Sequence, residues 1–450
     1  MRRAGGLGLL AAAALAFGAR AGASQDPGGR IERVVLISID GLRPEFYLDE
    51  AYEAPTLREL VRRGAHARGV EGVFPSVTYP SHASIVTGVR PWKHGIYANT
   101  LWTERGSTRD WHWHARDLRA RTLWDAAREK GVPTAITYWP VSVGARADWV
   151  LGEIWDPEGR ETAARLQAAA TPGLLLELCL ALGVPREKIA EDKSAIDAFV
   201  SGAAAYVFRR YRPALQFVHL LQVDEAQHRE GRDGPGVRDA VRRQDAQVAR
   251  ILGAVREAGA EGRTAFVVTG DHGFLDVRRQ VHPNAVLRAA GFLDVEGGEL
   301  RSWKALVRSS GGSAAVYVKD PSDVPRVAEA FRRSALLDGE RLYTVLERPE
   351  LDALGYNPEA ALALEPADGW AISGSLTGSL VEGAPSVKAN HGQRPGRREL
   401  HTGFVAAGPG IPPGTVIERM RLIDIAPTVA RWLGLEMEGV EGEAVAALVR

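Results

Sequence analysis

Six side chains of metal-binding type stand at comparable places in the sequence. Asp40 closes the apolar run at 34–39 and is followed by Gly41. Asp224 closes the run at 217–223, and His228 comes four residues later. Asp271 and His272 end the segment 265–270 and precede Gly273. His391, backed by Gly392, leads toward a last apolar run at 404–407. In open α/β sheets ligands bind beyond the carboxyl ends of the strands, so these side chains are expected to converge. Three carboxylates and three imidazoles form a donor set that suits zinc, which accepts both oxygen and nitrogen ligands. Each piece alone has a plainer explanation. An Asp at a strand end is most often a turn former, Asp224 and His228 could be a surface pair, and His391 a loop histidine. The shared order and strand context outweigh those explanations.

A nucleophile candidate lies in Phe74-Pro75-Ser76-Val77-Thr78-Tyr79-Pro80-Ser81-His82. Pro80, just after Thr78, favours the first turn of a helix. A helix starting there aims unbonded N–H groups and a positive dipole end at a phosphate beside Thr78. A threonine hydroxyl is a poor nucleophile until a metal or a base activates it. Without the six ligands elsewhere, Thr78 would read as an ordinary cap.

The elements that must position these residues are legible as short, unbroken apolar runs at 34–39, 134–138, 217–223, 265–268 and 404–407. Such runs read as strands buried on both faces, the pattern of a mostly parallel sheet covered by helices. Between them Val241, Val248, Ile251, Leu252 and Val255 recur at helical spacing, which predicts one amphipathic helix over 240–258. Leu57, Leu60 and Val61 mark another, stopped by Gly64; 123–130 ends at Gly131 and 425–433 at Gly434. Strands alternating with helices indicate an α/β fold, a central sheet sandwiched by helices. The stretch 285–384, rich in Gly, Pro and charge, carries one expected strand (314–318) and one helix (324–334). It reads as a small subdomain inserted into a catalytic domain made of 30–284 and 385–450.

The 450 residues are 45% hydrophobic and 25% charged, with zero formal charge, so no nucleic-acid or anionic-membrane footprint is visible. Arg2 and Arg3, the apolar run at 6–17 and Ala21-Gly22-Ala23 read as a signal peptide over residues 1–23. The run is too short to cross a bilayer core of about 30 Å, and no other reaches that length. Cys179 is the only cysteine and no intrachain disulfide can form, which suits a bacterial periplasm or secretion better than a eukaryotic surface.

Ser38-Ile39-Asp40-Gly41-Leu42-Arg43, the segment 75–82, Ile85-Val86-Thr87-Gly88 with Pro91, His94-Gly95-Ile96, Asp224 with His228, Asp271-His272-Gly273 and His391-Gly392 together resemble the nucleotide pyrophosphatase/phosphodiesterase branch of the alkaline phosphatase superfamily. The resemblance runs from about Val34 to the C-terminal helix. It implies an alkaline phosphatase-like fold and two zinc ions per chain. Asp40, Thr78, Asp271 and His272 would hold one, and Asp224, His228 and His391 the other. It makes Thr78 the nucleophile and matches Asn99 to the asparagine that contacts the phosphate oxygens. The family often has Lys-Thr-Phe-Pro-Asn-His where this chain has Val77-Thr78-Tyr79-Pro80-Ser81-His82. Val223 and Gln227 replace the proline and glycine of Pro-Asp-x-x-Gly-His, and Gln393-Arg394-Pro395 replaces Tyr-Asp-Asn. These departures leave every ligand in place and bear on the substrate.

The expected substrate is a small phosphate ester or a nucleotide. Tyr79, Tyr138 and Trp139 are candidates for lining its pocket. His82 and His94 are expected to hold loops, and His112 and His114 belong with Trp111 and Trp113 to an aromatic rim. A phosphomonoesterase or phosphonate hydrolase on the same core is the nearest alternative, for which Arg146 would be the extra cation that a dianion needs. A non-catalytic zinc-binding protein is the alternative of another class.

Overall fold

The structure is a computed structural model that describes residues 29–449 apart from 104, 105, 157, 159, 160 and 191. The expected signal segment, 1–23, lies outside the described residues. An eight-stranded sheet runs through the middle: β1 (Arg33–Ile39), β2 (Ala65–Ala67), β3 (Thr134–Thr137), β4 (Trp149–Leu151), β5 (Leu215–Leu220), β6 (Thr264–Thr269), β7 (Phe404–Ala407) and β8 (Thr415–Ile417). Their order is β8-β2-β7-β6-β1-β5-β3-β4. β1 pairs in parallel with β5 and β6, and β3 with β4 and β5, while β7 runs antiparallel to β6 and β2.

The central strands are apolar throughout because both faces are covered. Val35, Ile37 and Ile39 pack on one side, with Val200, Ala203 and Val207 of α4 (Lys193–Tyr211) and Val248, Ile251 and Val255 of α6 (Pro235–Glu257). Val34 and Leu36 point the other way, against Ile85 and Val86 of α2 (Thr78–Thr87), Trp124 of α3 (Leu123–Glu129) and Val429 of α7 (Ile425–Leu433). Full burial of each such aliphatic side chain contributes about 1.5–3 kcal/mol. A slip of one residue would exchange the two faces, so the register is firmly set.

That register decides where the chemistry lies. In parallel strands the carboxyl ends share one edge, and β1, β5 and β6 are in step: Ile39 opposes Leu220, and Ser38 opposes Thr269. Because β7 is antiparallel, with Phe404 opposite Thr269, it is the amino end of β7 that reaches this edge. The strand expected over 217–223 stops at Leu220, and α5 (Gln222–Glu230) takes over. The switch has a cause in Asp197 of α4, whose buried carboxylate accepts the N–H groups of Leu221 and Gln222. Asp224 and His228 thus lie one turn apart on a helix.

The stretch 285–384 contributes an antiparallel sheet ordered 305–310, 313–318, 362–366 and 343–346, under the helix Val324–Ser334. Its side chains form a core cluster of their own, centred on Leu306, Val316, Phe331 and Leu364. The strand Leu275–Val281 leads into it and pairs with the returning segment Ala389–Asn390, Leu275 facing Asn390. Among the described residues no single helix is long and apolar enough to cross a membrane.

α1 (Pro55–Arg63) shows how elements are locked across the fold. Its preceding residue, Ala54, has no side chain to cap the free N–H groups. Asp245 of α6, almost fully buried, accepts from Thr56 N at 3.0 Å and Leu57 N at 2.9 Å instead. Replacing Asp245→Ala leaves two donors unsatisfied and is expected to lower stability by about 1–3 kcal/mol. The measurement is the urea midpoint at constant slope; an unchanged midpoint would mean that solvent caps α1 equally well.

Candidate functional site

At the carboxyl edge the six ligand candidates form two groups, Asp40 with Asp271 and His272, and Asp224 with His228 and His391. Within each group the donor atoms lie within 4.8 Å of one another. The two groups touch, since the His272 and His391 rings stack at 3.4 Å and 10°. The pairing of Leu275 with Asn390 brings His391 alongside His272, so the long excursion through 285–384 returns the last ligand to the first ones. Gly311 and Gly312 form the tip of the hairpin that braces it. A Cβ on Gly311, whose φ is +63°, would come within 2.3 Å of the His391 carbonyl.

The two best-fixed carboxylates each have one oxygen held and one presented. Asp271 Oδ1 accepts the N–H groups of Gly41 and His272, and its Oδ2 faces His272 Nε2 at 3.1 Å. Asp40 Oδ2 lies 3.4 Å from His219 Nε2, while Oδ1 faces His272 Nε2 at 3.3 Å. Asp224 Oδ1 faces both His228 Nε2 and His391 Nε2, at 3.3 and 3.5 Å. The three presented oxygens, Asp40 Oδ1, Asp224 Oδ1 and Asp271 Oδ2, are buried without a hydrogen-bond partner, as are both nitrogens of His272.

The histidine tautomers follow from the outer partners. His228 Nδ1 donates to the Ala389 carbonyl at 2.8 Å and His391 Nδ1 to the Ser76 carbonyl at 2.9 Å. With Nδ1 donating, each ring in its neutral form presents a bare Nε2, and the two Nε2 atoms stand 3.2 Å apart. Unpaired buried acceptors are costly. Orphaned oxygens facing bare nitrogens are what a divalent cation in each group would satisfy, so the residues fit metal ions, and the donor set fits zinc.

Electrostatics agree. Burial, reinforced by the charges of Asp271 and Asp224, pushes Asp40 up to about 7. Burial also opposes ionisation of Asp271, but His272 and His82 hold it far below the usual carboxylate range. Burial alone would lower His272; Asp271, Asp40 and Asp224 hold it up to about 9.

Thr78 is the first residue of α2 and keeps 9% of its surface exposed. The helix is bolted to the ligand strands at both sides of it. His82 Nδ1 donates to the Thr78 carbonyl at 2.8 Å, and its Nε2 accepts from Ser38 Oγ at 2.9 Å, two residues before Asp40. Ser76 Oγ accepts the Gly392 N–H while the Ser76 carbonyl holds His391. Asn99 Oδ1 accepts the Tyr79 N–H at 2.9 Å, which turns its amide nitrogen away from the helix. His94 likewise holds a loop, accepting from Ile96 N and meeting Ser84 Oγ at 3.0 Å.

Four expected lining residues lie elsewhere. Tyr79, Tyr138 and Trp139 have at most 1% of their surface exposed. Tyr79 packs edge-on against Trp111 and Trp113, and Trp139 against His82 and Phe217, so they are core supports beneath the site. Trp111 and Trp155 are only partly buried and pack edge-on against each other at 4.8 Å, and the Asn99 carbonyl accepts the N–H of His112, the residue after Trp111. Arg146 belongs to the loop that crosses back from the carboxyl edge to the amino edge between β3 and β4. By Asp148 the loop has returned to the amino edge, where its N–H and carboxylate bond Thr134, roughly 13 Å of strand from the ligands.

Sequence reasoning missed His219 and Glu153. Both are buried, and His219 Nδ1 lies 3.3 Å from Glu153 Oε2. A polar signal was present, since a histidine inside a run buried on both faces needs a partner. Glu153 sits in a loop with no pattern that points to it.

The family model described as type I phosphodiesterase / nucleotide pyrophosphatase matches residues 34–395. Human ectonucleotide pyrophosphatase/phosphodiesterase family member 7 is 24% identical over 441 residues, covering 95% of this chain and 85% of that protein. Mouse family member 3 is 28% identical over 128 residues, and the match spans 26% of this chain and 14% of that longer relative. The solved structure of human member 5 superposes with a TM-score of 0.67 at 18% identity, covering 91% of this chain and 97% of that one. A murine member 5 structure, an inactive threonine-to-alanine variant in complex with AMP, gives 0.68 at 19%, with 92% and 97% covered. The fold is thus the alkaline phosphatase-like one, and the chain belongs to the type I phosphodiesterase/nucleotide pyrophosphatase family.

Proposed function

We propose that this chain is an exported two-zinc phosphohydrolase that cleaves phosphodiester or nucleotide pyrophosphate bonds through a phospho-threonine intermediate. The observation that carries the reading is the pair of ligand groups, with orphaned oxygens and facing bare nitrogens, close to the first residue of α2. Asp40, Asp271, His272 and Thr78 would hold one ion and Asp224, His228 and His391 the other. Two such ions supply Lewis-acid charge that makes a hydroxyl nucleophilic and stabilises a leaving oxygen.

This chain's residues do the rest. The Thr78 oxygen attacks phosphorus as its proton passes to solvent, the bond to the leaving alcohol or phosphate breaks and that oxygen takes up a proton, and water then cleaves the Thr78–phosphorus bond, releasing the phosphate monoester and restoring the hydroxyl. The amide nitrogen of Asn99 and the free N–H groups at the start of α2 stabilise the charge on the equatorial oxygens. The AMP bound to the inactive threonine variant of murine member 5 supports a nucleotide-type substrate here. The monoesterase alternative would draw its extra cation from Arg146, two residues from Asp148, which bonds Thr134 at the amino edge, and this makes it the weaker reading. A silent zinc-binding protein leaves the placement of Thr78 and Asn99 without a purpose. We also read 285–384 as an insertion that serves the site by bracing His391.

Thr78→Ala should reduce turnover to below about a tenth of wild type while elemental analysis still finds about two zinc equivalents, because the other six ligands remain. Retained turnover would point to water as the nucleophile.

Diesters should be preferred over monoesters. A monoanion suits two zincs with a neutral Asn99, and Trp111 and Trp155 offer a stacking surface worth about 1–3 kcal/mol, which is about ten- to hundredfold in kcat/KM. The comparison is bis-p-nitrophenyl phosphate and a nucleotide p-nitrophenyl ester against p-nitrophenyl phosphate. A faster monoester would replace this reading with a phosphomonoesterase.

The signal-like segment motivates a third expectation: protein exported by a bacterial host should begin near Ser24 on N-terminal sequencing. Soluble cytoplasmic protein retaining Met1 would refute export.

A further inference from the structure

Behind Asp40, on the side away from the other ligands, lies a buried chain of polar groups that the proposed chemistry does not use. His219 projects from β5, directly across from Ser38 in the pairing with β1, and has no exposed surface. Its Nε2 lies 3.4 Å from Asp40 Oδ2, and its Nδ1 lies 3.3 Å from Glu153 Oε2. Glu153, only 4% exposed, follows the carboxyl end of β4, two strands further toward the sheet edge. The approach is built closely: at Gly152 even a Cβ would come within 3.0–3.1 Å of Val143. The His82 ring packs edge-on against His219 at 4.3 Å, and Trp139 closes on His82 at 4.9 Å. His219 is thus confined by β5, by the brace of the Thr78 helix and by Glu153.

A carboxylate just past one strand and a histidine within another, buried side by side, are costly to desolvate. Here both align on one oxygen of one ligand. Asp271 has its non-presented oxygen fixed by two backbone N–H groups. Among the described residues no backbone N–H bonds the Asp40 side chain, and the group beside its Oδ2 is His219 Nε2, at 3.4 Å and buried with no other partner.

We propose that Glu153 and His219 are positioning residues that hold Asp40 so that Oδ1 alone faces the first metal position. The inference rests on the metal-dependent reading above. Outer partners of metal ligands fix orientation, and their loss typically weakens metal binding or activity by about 10–100-fold. The effect should fall chiefly on the Asp40–Asp271–His272 group, because among the described residues no hydrogen bond or ion pair joins His228, His391 or Asp224 to His219 or Glu153.

The test uses zinc-loaded full chain dialysed against a graded series of buffered free zinc, with bound zinc counted at each step. For Glu153→Gln, which keeps an acceptor for His219, one of the two equivalents should be lost at about 10–100-fold higher free zinc than in wild type, and the other should be unmoved. His219→Gln should do the same. Because Glu153 acts through His219, the double variant should lose no more affinity than His219→Gln alone. Circular dichroism and the unfolding midpoint verify that each variant folds, and Asp245→Ala serves as a control that is destabilised without touching the site. Unchanged zinc release, an equal shift at both equivalents, additive losses in the double variant, or the same shift in the control would overturn the inference. A wild-type protein that holds no zinc would instead overturn the functional reading, and the positioning role with it.

Discussion

At the carboxyl edge of the sheet, three carboxylates and three imidazoles are packed so tightly that they repel unless something positive stands between them. Two bare ring nitrogens face each other at 3.2 Å, three carboxylate oxygens have no partner, and Asp40 is driven up to about 7 by burial and by its acidic neighbours. Left alone, such a cluster would move apart or fill with water. It stays because the surrounding fold gives none of its members anywhere else to go.

The restraints come from every part of the chain. Strand register fixes Asp40 and Asp271, and Asp197 ends β5 where α5 must begin. Backbone carbonyls at Ser76 and Ala389 choose the tautomers of His391 and His228. The His82 bridge ties the Thr78 turn to Ser38, so Thr78 and Asp40 are held in one body. Even the excursion through 285–384 serves this edge, since its glycine hairpin fits under the His391 carbonyl. Holding reacting groups in place before the substrate arrives is the part of catalysis a fold can supply in advance.

What could be read from the sequence follows the same division. Ligands carried by the central strands were legible, because an unbroken apolar run and the polar residue that ends it are both local signals. So was Thr78, through Pro80. The short strands β2, β4 and β8 were not, because three residues carry no periodicity. Nor was the early end of β5, which is imposed by Asp197 from a different helix. Tyr79, Tyr138 and Trp139 were misplaced for a related reason: nearness in sequence to Thr78 or to a strand end says nothing about which way a ring points. His219 and Glu153 are 66 residues apart, and only the pairing of β3 with both β4 and β5 makes them neighbours.

A site assembled this way destabilises the fold that holds it, because each orphaned buried acceptor costs about 1–3 kcal/mol. A ligand that binds only the folded state returns stability by mass action, about 4.1 kcal/mol when present at a thousand times its dissociation constant. For a metal centre the unfolded chain offers no such preformed cluster, so binding and folding reinforce each other. The covalent staples common in exported proteins are closed to this chain, with Cys179 its only cysteine. Stability must then come from the two packed faces of the sheet and from whatever the polar edge binds. The same ions that would make Thr78 reactive would therefore also relieve the repulsion that its neighbours create, which couples the competence of the site to the integrity of the fold around it.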